Sequence, residues 1–180
     1  DMIVVWLSIE EFFSDTLTRI NLGEMSQYQA IDEIIALCER LYDDLATCST
    51  TRILWFTFED YYMHTSVLTG HRYATLIDKV NIKLAEYLYD RAKFVDSKRL
   101  IAEVGIANAY DSKSKYRWSA PYSKSLIESA VKEIHKQYLV EKGISKKCLI
   151  LDCDNVLWGG ILSEDGIENI TLSSSGFGRV

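Results

Sequence analysis

Short, densely apolar runs alternate along the chain with longer stretches in which apolar residues return every three or four positions. That rhythm predicts the elements before any chemistry is considered. The opening run, "DMIVVWLSIEEFF", is β-branched and apolar until Glu10, which predicts a buried strand leading into a loop or helix. From Ser26 to Ala46, Ile31, Ile34, Ile35, Cys38, Leu41 and Leu45 recur at helical spacing, with Asp32, Glu33, Glu39, Arg40 and Asp43 on the opposite side. This is an amphipathic helix. "RILWFTF", Arg52 to Phe58, is a second strand, short and aromatic, and the loop "EDYYMHTSVLTGH" follows it. A second helical pattern runs through Tyr73, Leu76, Ile77, Val80, Leu84 and Leu88, and "AKFVD" then forms a brief strand ending on Asp96.

After "SKRLIAEVGI" comes a polar stretch, "NAYDSKSKYRWSAPYS", with no apolar period and the single proline, Pro121; an irregular loop is expected. A long helix is predicted to start between Pro121 and Ser123, carrying Leu126, Ile127, Ala130, Val131, Ile134 and Tyr138 on one face and ending at Gly143. "KKCLILD" is a last apolar strand, and "GGILSEDGIENITL" has two short apolar pieces around Glu164, Asp165 and Gly166 in the manner of a hairpin. Strand and helix alternate throughout, which predicts an α/β protein with a mainly parallel sheet and helices on both faces. There is no internal repeat.

Bulk composition narrows the function classes. The 180 residues can bury an ordinary core. The net charge of -6, with Lys and Arg scattered among the acids, offers no basic stripe for a phosphate backbone, so no nucleic-acid partner is expected. No stretch approaches the roughly 20 apolar residues of a membrane span, and no signal-peptide pattern opens the chain. The expectation is a cytoplasmic protein with no membrane partner. Cys38, Cys48, Cys148 and Cys153 form no CxxC pair and stand at no zinc spacing with His, which favours reduced, partly buried thiols.

The candidate chemistry lies at "CLILDCDNVLWGG", Cys148 to Gly160. Ligands of open parallel sheets bind beyond the carboxyl ends of the strands, where Asp152 and Asp154 fall. Two apart on extended chain, their side chains leave the same face, and a pair of acids held together repels unless a cation or a shared proton relieves it. Magnesium suits that need, because it takes carboxylate and carbonyl oxygens together with water and substrate phosphate. A carboxylate beside such an ion can attack phosphorus while the second acid donates a proton to the leaving group. An Asp-x-Asp by itself more commonly marks a turn or a helix N-cap; here the surrounding string carries more.

"CLILDCDNVLWGGILSEDG" resembles the first motif of the haloacid dehalogenase (HAD) superfamily, an apolar strand followed by Asp-x-Asp-x-Thr/Val, with Val156 at the variable position. The Trp-Gly-Gly and "EDG" that follow resemble the FkbH-like branch, whose flap hairpin begins there. The resemblance implies Asp152 as nucleophile, Asp154 as general acid and base, and magnesium held by the Asp152 carboxylate and the Asp154 backbone carbonyl. It implies a phosphorylated small molecule as substrate and, in some members, an acyl carrier protein as partner. The family's phosphate-binding Ser or Thr, its Lys and its second acidic pair all lie downstream of this motif, and 26 residues follow Asp154. The chain alone is therefore expected to be inactive, the front of a longer protein.

The earlier region resembles the N-terminal part of FkbH-like proteins, a degenerate SGNH-hydrolase fold, through "MIVVWLSIEEF", "VNIKLAEYL" and "YDSKSKYRWSAPYS". The family's Asn block would fall at Ser8 to Glu10, where no Asn stands, and Ser114 occupies the His position of its Asp-x-x-His at Asp111. A Ser/His/Asp machine is excluded on the visible residues. The resulting expectation is a three-layer SGNH/Rossmann-like parallel sheet over residues 1–143 followed by the first strand and flap hairpin of a HAD-like domain over 144–180. The competing reading is a non-catalytic scaffold or carrier-protein-binding module. Of the remaining residues, His64 and His71 are expected to be solvated, His135 to lie on a helix with no partner at ligand spacing, Trp55, Phe56, Phe58, Tyr61 and Tyr62 to pack a core, and Tyr116, Arg117 and Trp118 to offer a recognition surface on the irregular loop.

Overall fold

A computed structural model of the chain describes residues 2–48, 51–60, 70–144 and 158–169, the side chains of 70–72 excepted. Packing divides the chain into two compact units, Asp1–Tyr138 and Leu139–Val180. Strands β1 (Met2–Val5), β2 (Arg52–Phe56) and β3 (Lys93–Val95) form a parallel sheet in the order β1-β2-β3, with Val5 beside Trp55 and Trp55 beside Phe94. Helices α1 (Ile9–Phe12), α2 (Ser14–Asn21) and α3 (Gln27–Cys48) connect β1 to β2, and α4 (Gly70–Tyr87) connects β2 to β3. After β3 come α5 (Ser97–Val104), α6 (Ile106–Ala109), α7 (Ser112–Trp118) and α8 (Lys124–Glu141). The α/β, Rossmann-like class expected from the alternation is the one observed.

The middle strand sorts the two faces. Successive side chains of a strand point opposite ways. Ile53 and Trp55 accordingly join Val5, Phe13, Ile34, Leu76 and Leu84 in one core, built on α1 to α4. Leu54 and Phe56 join Val95, Leu100, Ala109, Leu126 and Ala130 in the other, built on α5, α6 and α8. The continuous apolar reading of "ILWF" follows from burial on both sides. Each large side chain sealed this way contributes roughly 1.5–3 kcal/mol over its exposed state.

Local chemistry sets the helix ends. Ser26 and Gln29 make a capping box at the start of α3, the Ser26 N–H donating to Gln29 Oε1 (3.0 Å) and the Gln29 N–H to Ser26 Oγ (3.3 Å). Thr16 Oγ1 (2.8 Å) and the Arg19 guanidinium both donate to Glu33, tying α2 to α3. At the end of α8, Gly143 takes φ +68° while the N–H groups of Gly143 and Ile144 donate to Val140 O and Leu139 O. Glycine carries that left-handed turn without strain.

The polar stretch after Gly105 is not the irregular loop its composition predicts. It holds α6 and α7, because the Asp111 carboxylate caps α7 through the Lys113 N–H (3.0 Å) and Ser119 closes it at φ +52°. A short helix fixed by its caps needs no apolar period. Pro121 likewise lies outside α8: its carbonyl accepts from the Asp111 N–H (2.7 Å) beside an antiparallel bridge between Tyr110 and Tyr122, and Ser123 Oγ caps α8 through the Leu126 N–H.

In the second unit, Leu162–Asp165 form a single helical turn, α9, and Ile167–Asn169 a 3₁₀ turn, where the hairpin pattern predicts extended chain. Asp165 organises it by accepting from the Ile161 N–H (2.8 Å). Gly160 stands at φ +112°, where a Cβ would come 3.1 Å from Asp165 Oδ2. The second glycine of Trp-Gly-Gly is thus required by the turn it adjoins. Among the described residues no helix is long and apolar enough to cross a membrane.

Candidate functional site

Asp152 and Asp154, the predicted nucleophile and acid, lie outside the described residues, as do Cys148, Cys153, Val156 and His64. Among the described residues no group of three His, Cys, Asp or Glu is placed to hold a metal ion. The magnesium donors read from the motif remain an expectation of the sequence.

What the described residues do assemble is a second acidic centre, just past the carboxyl end of β2. The segment leaving β2 is fixed by one side chain: Asn81 of α4 accepts from the Phe58 N–H (2.8 Å) and donates to the Phe58 carbonyl (2.8 Å). Thr57 is held by Ser97, whose Oγ donates to the Thr57 carbonyl (2.7 Å). With both neighbours pinned, Glu59 and Asp60 follow inward. Glu59 is only 3% exposed and Asp60 is buried beside it, as is Glu10 at the start of α1.

Glu59 Oε1 accepts from the Tyr122 hydroxyl at 2.5 Å, and Glu59 Oε2 is buried with no hydrogen-bond partner among the described residues. The Tyr122 ring stacks on Trp6 (4.5 Å between centroids), which stacks in turn on Phe56 (4.7 Å). Burial pushes the Glu59 carboxyl up to about 7. The Tyr122 bond pulls it back, and Glu10 and Asp60 add to the rise. Tyr122 is raised as well, by burial first and then by Glu59. The pair therefore stays protonated at the phenol and titrates at the carboxyl. Glu59 and Asp60 also line a cleft of about 210 Å³ between α4 and α5, whose walls include Ile77, Lys98, Ile101 and Ile106.

The positions that carry the SGNH resemblance are committed to local structure. Ser8 Oγ donates to Glu10 Oε2 (2.9 Å), and Ser114 Oγ donates to Asp111 (2.8 Å). That bond, then the Lys113 N–H, lowers the Asp111 carboxyl. Each hydroxyl is thus committed to a carboxylate of its own segment. Tyr116 (90% exposed) and Trp118 (76%) stand out on α7, His135 is exposed on α8, and Trp55, Phe56 and Phe58 are core residues as expected. Tyr61 and Tyr62 lie outside the described residues. Burial, with Glu39 next to it, pushes the Cys38 thiol up to about 12, which makes it inert.

Sequence reasoning missed Glu59, Asp60 and Tyr122. A signal existed for the first two: acids directly after an apolar strand, the same logic that singled out Asp152. Tyr122 is 63 residues from Glu59 and meets it only through the fold.

No protein-family model matches the chain, and no curated protein matches it in sequence. In structure it is similar to the N-terminal part of a Bacteroides fragilis protein, described as containing a phosphatase domain and crystallised in complex with Mg. The two share 22% identity at a TM-score of 0.63, over 96% of this chain and 46% of that one. The chain thus spans just under half of that structure, and the likeness is one of fold.

Proposed function

We propose that the chain belongs to a magnesium-dependent phosphatase or phosphotransferase of the HAD type, FkbH-like. Residues 1–143 would form a degenerate SGNH-like domain, and 144–180 would open the catalytic domain. The observation that carries this reading is a coincidence of two independent likenesses. The fold follows a protein containing a phosphatase domain over nearly the whole chain, and Asp152-Cys153-Asp154 stands behind the apolar run where phosphoryl-transfer carboxylates are needed.

The donor set fits the ion. Two carboxylates two residues apart, with the backbone carbonyl between them and the next residue, are hard oxygen ligands of the kind magnesium prefers. Asp152 and the Asp154 carbonyl would hold it, and magnesium when bound would offset phosphate and carboxylate charge. The chain's own work is then nucleophilic and acid–base. An Asp152 oxygen forms a bond to phosphorus as the bond from phosphorus to the leaving oxygen breaks, and Asp154 gives that oxygen its proton. Water then cleaves the aspartyl-phosphate, with Asp154 taking the proton back. The substrate is a phosphorylated small molecule, the setting cytoplasmic, and an acyl carrier protein the partner of a transferase form.

The test uses the complete gene product and p-nitrophenyl phosphate. With magnesium present, Asp152→Asn is expected to lower phosphate release at least ~100-fold, as loss of a nucleophile does. Equal rates remove Asp152 as nucleophile. If both proteins are inactive and calorimetry finds no saturable magnesium binding, the non-catalytic scaffold replaces the enzyme.

A further inference from the structure

Helix α7 adds nothing to either core, since none of its seven residues is buried. Polar ties hold it instead. Asp111 caps it through the Lys113 N–H and the Ser114 hydroxyl, and the Ser119 N–H donates to the Lys115 carbonyl (3.0 Å). The Lys115 ammonium is anchored on Glu11 of α1 at 2.7 Å. Ser119 closes the helix in the left-handed region, which a non-glycine residue adopts at some cost. The outcome is a short, fixed helix standing on the surface.

Helix geometry arranges what it presents. At about 100° per residue, Lys115 points toward α1, while Lys113 and Arg117, four apart, share the crest on the opposite side. Tyr116 and Trp118 stand one step to either side of Arg117. Both are largely exposed, and neither ring makes a hydrogen bond, a stacking contact or a cation contact among the described residues. The three cations are not equivalent. Lys115 is engaged by Glu11, and Lys113 acts on the Asp111 carboxylate, behind the Ser114 and backbone hydrogen bonds that lower it most. Arg117 has no side-chain hydrogen bond or ion pair among the described residues.

Trp, Tyr and Arg are the side chains that most often dominate protein–protein contacts, and a scaffold that holds them in place reduces the entropy lost on binding. A guanidinium with free donors takes a carboxylate through two parallel N–H bonds. One such cation is too little for a nucleic-acid backbone or an anionic membrane, which are held by runs of Lys and Arg, and the net charge of -6 opposes both. A carboxylate set among apolar side chains matches the pattern, charge on the crest and hydrocarbon on the flanks.

We propose that α7 is a docking ridge for an acidic segment of another protein, a carboxylate of that segment pairing with Arg117 while apolar side chains on either side of it lie on Tyr116 and Trp118. The ridge uses none of the residues assigned to phosphoryl transfer, so it stands or falls apart from that reading.

Selection of phage-displayed random dodecapeptides on the complete gene product, followed by calorimetry with the synthetic winners, tests it. The winners are expected to carry Asp or Glu flanked by Leu, Ile or Phe. Arg117→Glu and Trp118→Ser should each weaken them at least about tenfold, and Lys132→Glu on α8 should leave them unchanged. Neither α7 substitution should move the urea midpoint, because neither side chain packs on the protein. Winners no richer in acids than the starting library overturn the proposal, as do winners that bind both α7 variants like the wild type, or no enrichment at all. A urea midpoint lowered by Trp118→Ser would also overturn it, by making the ring a packing residue. Binding of oligouridylate or of phosphatidylserine vesicles that is tighter than the peptides and lost in Trp118→Ser would replace the protein partner with RNA or a membrane.

Discussion

The two acidic pairs of this chain, Asp152 with Asp154 and Glu59 with Asp60, are encoded in different ways. The first is a spacing: two acids one residue apart at the end of an apolar run, with Trp-Gly-Gly behind them, visible in a dozen letters. The second is a place. Glu59 and Asp60 look like ordinary acids opening a loop, and become a buried, titrating centre only when Asn81, Ser97 and Tyr122 arrive from distant segments. Chemistry written as a motif survives in a short string; chemistry made by topology is read only after folding. If that distinction is right, substitutions at the second pair must act on folding, whereas substitutions at the first act on turnover.

The largest effect on stability should come from Glu59. Its native carboxyl is raised by burial from the ordinary value of 4.5 to about 7, so the folded state binds more protons than the unfolded one between those limits. Stability from this group is therefore fully present below the lower value and lost as pH rises through the upper one. The swing is about 3 kcal/mol, from roughly 1.4 kcal/mol per unit. Urea unfolding as a function of pH should show a decline across that window for the wild-type chain and little of it for Glu59→Gln, which should be the more stable protein at pH 8. Asp152→Asn should trace the wild-type curve. If Glu59→Gln leaves the decline untouched, the buried centre is not what couples pH to folding and the contrast between the two pairs fails.

Asn81 sharpens the comparison at a somewhat smaller scale. Its amide satisfies the N–H and the carbonyl of Phe58, the residue before Glu59. Asn81→Ala leaves both backbone groups without that partner, at a cost of roughly 2–3 kcal/mol if neither finds water. Because the clamp also aims Glu59, the variant should lose part of the pH-dependent decline as well as stability. Asn81→Asp keeps only the acceptor and should fall between. A uniform drop with the decline intact would mean that Asn81 holds the strand end without positioning the carboxylate.

The fold itself was largely legible. β1, β2 and β3, and helices α3, α4 and α8, stand where apolar period placed them, since each buries a stripe or a face large enough to dominate a window of sequence. Elements fixed by single polar contacts were not legible. α7 depends on the Asp111 cap and on Ser119 in the left-handed region; the turn at Leu162–Asp165 depends on Asp165 reaching back to Ile161. Neither leaves a period to detect. The candidate site divides the same way: Asp152 and Asp154 came from local spacing, while the Glu59 centre needed contacts spanning 23 to 63 residues.

The smallest effect tests whether the cleft's far wall is independently built. Asp96 accepts from the N–H groups of Lys98 (3.0 Å) and Arg99 (3.3 Å), capping α5, the helix that carries Lys98 and Ile101 to the cleft. Loss of such a cap costs about 1 kcal/mol. The first turn of α5 is also tied down by Ser97, whose N–H donates to Thr57 Oγ1 at 3.0 Å, and by burial of Leu100 and Ile101. Asp96→Ala should therefore lower the urea midpoint modestly and leave the pH profile of Glu59 unchanged, because the carboxylate is held from α4 and β2 and by Tyr122. Asp96→Asn, which caps nearly as well, should restore the midpoint. A flattened pH profile in Asp96→Ala would instead make the acidic centre and the cleft wall one cooperative piece, and the Glu59 pair would then belong to the sheet end as a whole.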